Sequence, residues 1–489
     1  MGVKKFFKDR SLKVPDGSVT KAAELTVRES IWPIALVTTL FFLWGFSYGL
    51  LDTLNKHFQN ILDIGQARSA GLQAAYFGAY PLASIGHAAW ILRNYGYRAV
   101  FIWGLCLYAI GALITIPCIK AKSFAGFCFS IFIIGNGLGS LETAANPFIT
   151  VCGPPKYAEI RINLSQAFNG IGTVIAPVLG SYVFFNFSDE VALANVQWVY
   201  LAIAVFVLLL AALFFLSKIP EITDAGMDII LVMYDDMAYQ VQETHANADE
   251  KPFIKQYKLF HAAFAQFCYT GAQVAIASFF INYAVSTRPN TSDSVGAQLF
   301  AGAQAAFACG RFLGVVIMKY VRPRLVFLAF ISCCIIFMIP AIALPESMRP
   351  GNSPVVMLFM VLFFESICFP TIVGLGMRGL GRHTKRGSGW IIAGVAGGAC
   401  VPPLTGVAND RHGNGVGMVV PLLFFVAAWS YAAAVNFAPQ YVKVVDSFGE
   451  AEIGLQGRDV DPEVRAAEIA NKPKESVEEK TATDVPEKA

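Results

Sequence analysis

The chain has 489 residues, of which 55% are hydrophobic and 15% are charged, and its formal net charge at pH 7 is +3. This composition excludes an ordinary soluble enzyme and indicates an integral membrane protein. The small net charge gives no basis for nucleic acid as a partner. The ten cysteines show no C-x-x-C spacing and the six histidines form no metal-binding pair. We therefore expect neither a disulfide framework nor a metal or other cofactor.

Twelve apolar runs follow one another along the chain, each near the length of about 20 residues that crosses a bilayer. We number them as predicted helices 1 to 12. The first six lie at 32–55, 69–92, 98–118, 124–151, 161–187 and 196–217, and the second six at 259–285, 295–319, 324–344, 353–377, 387–409 and 416–438. The predicted segments are a cytosolic N-terminal tail (1–30), an N-terminal six-helix bundle (31–217), a cytosolic linker loop (218–258), a C-terminal six-helix bundle (259–438) and a disordered cytosolic tail (439–489).

Basic residues are unevenly distributed between the two sides of the membrane. If the N-terminus is cytosolic, the segments on that side hold about three times as many Lys and Arg residues as the opposite loops. This bias predicts cytosolic termini. Two glycosylation sequons, at Asn186 and Asn290, then fall in outside loops. We expect no obligate protein partner besides the surrounding lipid bilayer.

Three features recur in the two halves at nearly one separation. The string Glu142-x4-Pro147 returns 223 residues later as Glu365-x4-Pro370. A Gly-x4-Pro-x2-Gly string in predicted helix 5 returns 226 residues later in predicted helix 11, and a glycine of predicted helix 2 returns 224 residues later in predicted helix 8. An even number of helices keeps both halves in one orientation, so the repeats are parallel. This all-α arrangement of two pseudo-symmetric bundles resembles the major facilitator transporters.

Carboxylates inside the apolar runs mark functional positions, because a lone charge in hydrocarbon is costly. Asp52 stands near the end of predicted helix 1 and Glu142 stands within predicted helix 4. A carboxyl group buried in apolar surroundings binds a proton more readily, which suits uptake of a proton on one side and release on the other. We assign Asp52 and Glu142 to proton coupling. The alternative for Glu142 is a permanent ion pair with a basic residue such as Arg311.

A secondary charge site is expected from Glu365 in predicted helix 10 and Arg311 in predicted helix 8. Arg311 needs a partner to stay charged in the membrane, and Glu365 is one candidate in the same half. Glu365 is either a second titrating group or a structural carboxylate that is hydrogen-bonded to its neighbours. We favour the structural role.

Polar side chains with aromatic neighbours form stripes on predicted helices 1, 5 and 7. Amides both donate and accept hydrogen bonds, and an aromatic ring covers the apolar C–H face of a sugar, so a neutral polyhydroxylated ligand fits this lining. The predicted substrate-binding residues are Trp44, Tyr48, Asn163, Gln166, Asn169 and Gln273. The alternative is that these amides join helices to one another within the membrane.

Five strings together resemble the fucose–galactose–glucose:proton symporter family. They are Phe-Phe-Leu-Trp-Gly at 41–45 followed by Asp52, Leu-Glu-Thr-Ala-Ala-Asn-Pro-Phe at 141–148, Asn-Leu-Ser-Gln-Ala-Phe-Asn at 163–169, Ala-Gln-Phe-Cys-Tyr-Thr-Gly-Ala-Gln at 265–273 and Phe-Pro-Thr-Ile at 369–372. The resemblance covers about residues 38–438 and implies a twelve-helix major facilitator fold. It also implies that Asp52 and Glu142 serve protonation and sugar contact, and that the amides of predicted helix 5 bind sugar.

The chain departs from that family where sugar identity would be read. Tyr48 and Gly49 replace an amide-rich stretch, Ala277 stands near an expected aromatic residue, and Glu365 is an addition. L-fucose is therefore only one of several candidate substrates. The polar tails and the segment before Pro370 are similar to those of fungal members.

These observations predict a secondary active transporter, not an enzyme. We expect proton-coupled import of a neutral monosaccharide, such as L-fucose, galactose or glucose, by alternating access across the plasma membrane. A drug or cation:proton antiporter is one alternative, in which a carboxylate pairs with a cationic ligand. Another is a nutrient sensor that keeps the fold without transport. Na⁺ stays open as the coupling ion, because carboxylates bind either cation.

Overall fold

The structure is a computed structural model. It describes residues 27–62, 64–152, 158–183, 189–217, 219, 252–288, 290–343, 353–380 and 383–450. Within these ranges the chain is almost entirely helical. The helices of the N-terminal half are α1 (Val27–Leu62), α2 (in four pieces, Gln66–Ser69, Gly71–Gly78, Leu82–His87 and Ala88–Tyr95), α3 (Tyr97–Lys120), α4 (Phe124–Val151), α5 (Ala158–Val183) and α6 (Asp189–Leu216).

The second half repeats this order after a single helical turn at Phe253–Lys255. Its helices are α7 (Tyr257–Thr287), α8 (Asp293–Met318), α9 (Pro323–Ala343), α10 (Ser353–Glu365 and Cys368–Met377), α11 (Thr384–Ala393, Gly394–Ala396 and Gly397–His412) and α12 (Asn414–Gly417 and Val419–Phe437), followed by α13 (Pro439–Glu450). The predicted all-α membrane fold is confirmed.

Ten of these helical stretches are long and apolar enough to cross a membrane within the described part of the chain. The other two helices of the series, α2 and α5, do not meet this criterion of length and hydropathy. Helix α2 is divided into short pieces, and Gly86 leaves helical geometry at φ −89° and ψ −114°. Helix α5 carries the polar stripe from Asn163 to Asn169, which lowers its mean hydropathy.

Small residues let the helices of each half approach closely. A Cβ atom at Gly45 of α1 would overlap the backbone carbonyl of Asn169 in α5. The corresponding pair in the second half shows the same contact, since a Cβ at Gly397 of α11 would overlap the carbonyl of Phe267 in α7. Backbone contact of this kind favours helix association where no hydrophobic effect operates between helices. In both the α1–α5 pair and the α7–α11 pair, a glycine of one helix therefore packs directly against the backbone of the other.

Helix α10 is broken between Glu365 and Cys368, although the sequence predicts one continuous run. Pro370 has no N–H, so the carbonyl of Ser366 lacks its helical donor four residues later. Helix α4 carries Pro147 at the equivalent place and stays continuous from Phe124 to Val151. The two repeats thus differ in backbone at the position of their glutamates.

The two halves contact each other at both ends of the bundle. At one end, which we call the Arg378 end, the Nε atom of Arg378 lies 2.6 Å from the Oε1 atom of Glu159 at the start of α5. At the other, the Asp410 end, the carboxylate of Asp410 in α11 accepts from the backbone N–H groups of Gln66 (3.2 Å) and Ala67 (3.1 Å). Side chains of one half therefore pair with groups of the other at each membrane surface.

The predicted disorder from residue 439 onward is wrong for its first twelve residues, which form α13. Val445 of α13 is buried at 5% exposure. Asp446 lies 2.9 Å from both Arg322 and Arg324 at the start of α9. Charged residues made this segment look solvated, but Val445 is packed and Asp446 has two basic partners. Residues 1–26, 220–251 and 451–489 lie outside the described residues, so the predictions for the N-terminal tail, most of the linker and the rest of the C-terminal tail stay predictions.

Candidate substrate cavity

A cavity with an empty volume of about 560 Å³ lies between the two halves. Its lining comes from both halves: Trp44, Tyr48, Tyr76, Phe77, Tyr80, Glu142, Gln166, Asn169, Thr173, Thr270, Gln273, Val274, Phe307, Arg311, Phe369 and Val395. Seven of the predicted site residues are in that set: Trp44, Tyr48, Glu142, Gln166, Asn169, Gln273 and Arg311.

Glu142 is the carboxylate of the cavity wall. It is 6% exposed, its carboxylate interacts with the Tyr80 side chain, and Asn146 Nδ2, one helical turn along α4, lies 3.5 Å from its Oε1 atom. A bond of that length is weak. The described residues place no ion pair on Glu142, so the permanent pairing with Arg311 that the sequence left open is not observed. The carboxylate is therefore available to a proton or a ligand in the cavity.

Arg311 lies in the same cavity and is held by neutral oxygens. Its Nη1 atom donates to the backbone carbonyl of Gln166, to Gln166 Oε1 at 3.2 Å and to Asn169 Oδ1 at 2.7 Å. Its Nε atom donates to the carbonyl of Ser366 at 2.9 Å. The guanidinium also lies 4.4 Å from the ring centroid of Phe307, a favourable cation–π geometry. An ion pair with Glu365, which the sequence offered as one candidate partner, is not present among the described residues.

The cavity amides present unused donors and acceptors. Gln166 and Asn169 accept from Arg311 with their oxygens, while their NH₂ groups make no hydrogen bond within the described part of the chain. Gln273 of α7 lines the cavity, and neither end of its amide has a partner among the described residues. Because amide groups that line a wet cavity can exchange water for a ligand, these three residues can bind the hydroxyl groups of a polyol.

Aromatic rings cover another wall of the cavity, and sequence reasoning missed most of them. Tyr76 and Tyr80 come from α2 with Phe77 between them in the chain, and their ring centroids are 4.6 to 5.8 Å apart. Phe307 and Phe369 come from the other half. The spacing of four residues between Tyr76 and Tyr80 was a usable signal, because such residues share a helix face. Rings of this kind stack on apolar ligand faces.

Asp52 lies outside the cavity lining, at a junction of three helices. It is 1% exposed, and its Oδ1 atom accepts from Gln73 of α2 at 3.3 Å and from Ser278 of α7 at 2.9 Å. Its Oδ2 atom has no hydrogen-bond partner among the described residues. Ser278 belongs to the second half of the protein. Asp52 therefore joins the two halves in this conformation instead of facing the ligand space.

Two other predicted residues are also placed away from the cavity. Asn163 is fully buried and donates to the carbonyl of Glu159 at 2.8 Å, one turn toward the Arg378 end. Asn163 is not part of the cavity lining in this conformation, so its assignment to sugar binding stays a prediction. Glu365 is 2% exposed beside the break in α10 and lines no part of the cavity.

Comparison with known proteins identifies relatives over most of the chain. The sequence pattern of the Major Facilitator Superfamily matches residues 34–403. The L-fucose-proton symporter of Escherichia coli strain K12 is 32% identical over 434 residues, covering 83% of this chain and 93% of the symporter. A glucose/galactose transporter of Brucella abortus biovar 1 is 30% identical over 397 residues, covering 80% of this chain and 90% of that protein.

Solved structures give the same result for the fold. The crystal structure of the transporter FucP in the outward conformation superposes with a TM-score of 0.64 at 30% identity, covering 82% of this chain and 98% of FucP. A partially occluded inward-open structure of the xylose transporter XylE from E. coli superposes with a TM-score of 0.62 at 12% identity, which supports the fold alone. The chain therefore belongs to the major facilitator superfamily, and within it to the family of the L-fucose-proton symporter and the glucose/galactose transporters.

Proposed function

We propose that this protein imports a neutral monosaccharide together with protons, by alternating access of its two halves. The observation that carries the proposal is the cavity between the halves, where Glu142 lies among amide and aromatic side chains. Relatives named as a fucose-proton symporter and as glucose/galactose transporters support the same substrate class. The protein is a multi-pass membrane protein, its loop charges favour cytosolic termini, and we place it in the plasma membrane as part of this proposal.

The sugar would bind between Gln166 and Asn169 on one side and Gln273 on the other. These amides belong to α5 and α7, so one ligand contacts both halves at once. The rings of α2 and α8 would cover the C–H face of the pyranose. A ligand that bridges two bodies favours the arrangement in which both are close to it, and this is how substrate binding drives a population shift.

Glu142 and Asp52 would carry the coupled protons in different ways. Glu142 faces the ligand space, so its protonation changes the hydrogen bonds offered to the sugar. Asp52 lies between α1, α2 and α7, so its protonation changes a contact between the halves. Coupling needs both functions, because a proton must affect substrate affinity and the conformational change.

The cavity is less suitable for a cationic drug. Arg311 places a fixed positive charge in the lining, and the described residues give it no carboxylate partner. A cationic ligand would be repelled by this group, whereas a neutral polyol would not. The amides and Arg311 together therefore favour sugar symport over drug antiport.

The test is uptake of a panel of labelled monosaccharides into proteoliposomes with an inwardly directed proton gradient. The parent should accumulate at least one sugar above its equilibrium level. Glu142→Gln and Asp52→Asn should each abolish accumulation, while equilibrative exchange persists. Asp293→Asn is the matched control, since it makes the same change in the first turn of α8 outside the cavity lining, and it should behave like the parent. Full accumulation by both coupling variants would overturn the assignment, and an Na⁺ gradient in place of the proton gradient identifies the ion.

A further inference from the structure

The two halves contribute unequal numbers of hydrogen-bond acceptors to Arg311. Four oxygens accept hydrogen bonds from its guanidinium in the described structure: two from Gln166, one from Asn169 and one from Ser366. The first three belong to α5 in the N-terminal half. Only the Ser366 carbonyl belongs to the same half as Arg311. Most of the hydrogen bonding of this buried charge therefore depends on the relative position of the two halves.

Any movement of α5 against α8 must weaken some of these bonds. The two helices are in close contact here, since a Cβ at Gly170 of α5 would lie 3.0 Å from Ala308 of α8. A buried cation that loses hydrogen bonds without replacement is strongly destabilised. Arg311 is 3% exposed, so bulk water offers little compensation in its present site. Its own half must supply a new acceptor when the halves move.

Glu365 is the acidic group placed to do so. Glu365 directly precedes Ser366, whose carbonyl already accepts a hydrogen bond from Arg311. The side chains of Glu365 and Arg311 also interact electrostatically. Glu365 is 2% exposed, and its Oε2 atom has no hydrogen-bond partner among the described residues. An ionised carboxylate left in that condition would be costly. The geometry in this conformation therefore suits the protonated acid.

The other titratable groups around Glu365 do not provide a competing cation. They are Tyr269 of α7, Tyr48 of α1, Cys334 of α9 and Cys368 of α10. Tyr269 donates to the backbone carbonyl of Glu365 at 2.7 Å, not to its carboxyl group. Among the described residues, Arg311 is the cation that interacts with Glu365.

We propose that Glu365 is a third proton-binding site, which is protonated while α5 holds Arg311 and becomes the ion-pair partner of Arg311 when the halves move apart. In that step the O–H bond of the carboxyl group breaks, the proton passes to water that enters between the separating halves, and the carboxylate replaces the α5 oxygens. The return step takes up one proton from the opposite side. The inference rests on the proposed symport and adds one proton to its cycle.

The first test measures how steeply sugar accumulation depends on the pH difference at zero membrane potential. Each proton coupled to a sugar contributes a factor of about ten per unit of pH difference. Glu365→Gln keeps the shape of the side chain and removes the titration, so its steady accumulation ratio should fall by about tenfold per pH unit relative to the parent. An unchanged ratio would overturn the proposal.

The second test needs no sugar, so it separates a failure of this inference from a failure of the proposed function. Infrared difference spectra between acid and alkaline pH detect the C=O stretch of carboxylic acids that gain or lose a proton. A component present in the parent should be missing from Glu365→Gln. Identical difference spectra would mean that Glu365 keeps one protonation state, and the proposal would then be wrong even if the parent proved to be a symporter.

Ser366→Ala is the matched control for both tests. It alters the neighbouring buried side chain, whose Oγ atom also lacks a hydrogen-bond partner among the described residues, and it keeps the backbone carbonyl that binds Arg311. Its accumulation ratio and its infrared spectrum should match those of the parent. A change in Ser366→Ala equal to that in Glu365→Gln would assign the effect to packing at the helix break, and would overturn the protonation assignment.

Discussion

Helices α4 and α10 carry the same Glu-x4-Pro string, yet they present their glutamates to different surroundings. Helix α4 is continuous and places Glu142 in the cavity wall. Helix α10 is broken after Glu365 and holds that side chain away from the cavity. One string can thus produce an accessible carboxylate in one half and an enclosed one in the other.

At the α10 break, donors from neighbouring helices satisfy the backbone carbonyls. At the break in α10, Tyr269 donates to the carbonyl of Glu365 and Arg311 donates to the carbonyl of Ser366. Buried donors from α7 and α8 therefore replace the missing helical bonds. Pseudo-symmetry supplied two similar helices, and different neighbours gave them different roles. Glu142 can act directly on a ligand, whereas Glu365 can act only through Arg311.

The largest effect is expected from Arg311→Gln, which removes the group that links the α10 break to α5. Several buried oxygens would lose their donor, and a loss of about 3 kcal/mol corresponds to a decrease of roughly 100-fold in transport rate. Initial rates of sugar exchange in proteoliposomes measure it. Arg322→Gln is the control, since that side chain is 56% exposed and should leave the rate near the parent value. If Arg311→Gln exchanged sugar at the parent rate, transport would not depend on a cation at the α10 break, and this prediction would be wrong.

An intermediate effect is expected from Gln273→Ala, which tests the cavity itself. The amide of Gln273 has no described protein partner, so its loss should weaken sugar binding by about tenfold, the value of one good hydrogen bond. The number of protons per sugar should stay the same. Gln266→Ala on the same helix is the control, because Gln266 is buried outside the lining, where its amide donates to the hydroxyl of Thr270. Equal losses of affinity in both variants would contradict the assignment of Gln273 to the sugar site.

A smaller effect is expected from Glu159→Gln at the Arg378 end, where α10 contacts the other half a second time. Weakening this ion pair by about 1 kcal/mol should raise the fraction of molecules that are open at the Arg378 end about fivefold. The thiol of Cys152 at the end of α4 is buried and should become more reactive when this end opens. Its rate of labelling by a membrane-permeant thiol reagent, followed by mass spectrometry, measures the opening. Asp410→Asn at the opposite end should not accelerate that labelling. Equal acceleration by both changes would mean that the ends do not open separately.

The sequence predicted the helices and much of the cavity, because apolar length and polar stripes depend on local periodicity. Gln166, Asn169 and Gln273 were found in this way. The break in α10 was not predicted, since Pro147 in the same string leaves α4 intact. The acceptors of Arg311 were also missed, because two of them are backbone carbonyls, which no side-chain pattern marks. The contact of Asp52 with Ser278 was not predicted either, because it joins positions 226 residues apart.

The central claim is that Glu142 moves a proton with the sugar, and sugar-driven proton movement tests it most directly. Adding the transported sugar to de-energised proteoliposomes in weak buffer should make the medium more alkaline, because protons enter with the sugar. Glu142→Gln should exchange labelled sugar without any alkaline change. Alkalinisation by Glu142→Gln equal to that of the parent would contradict the account.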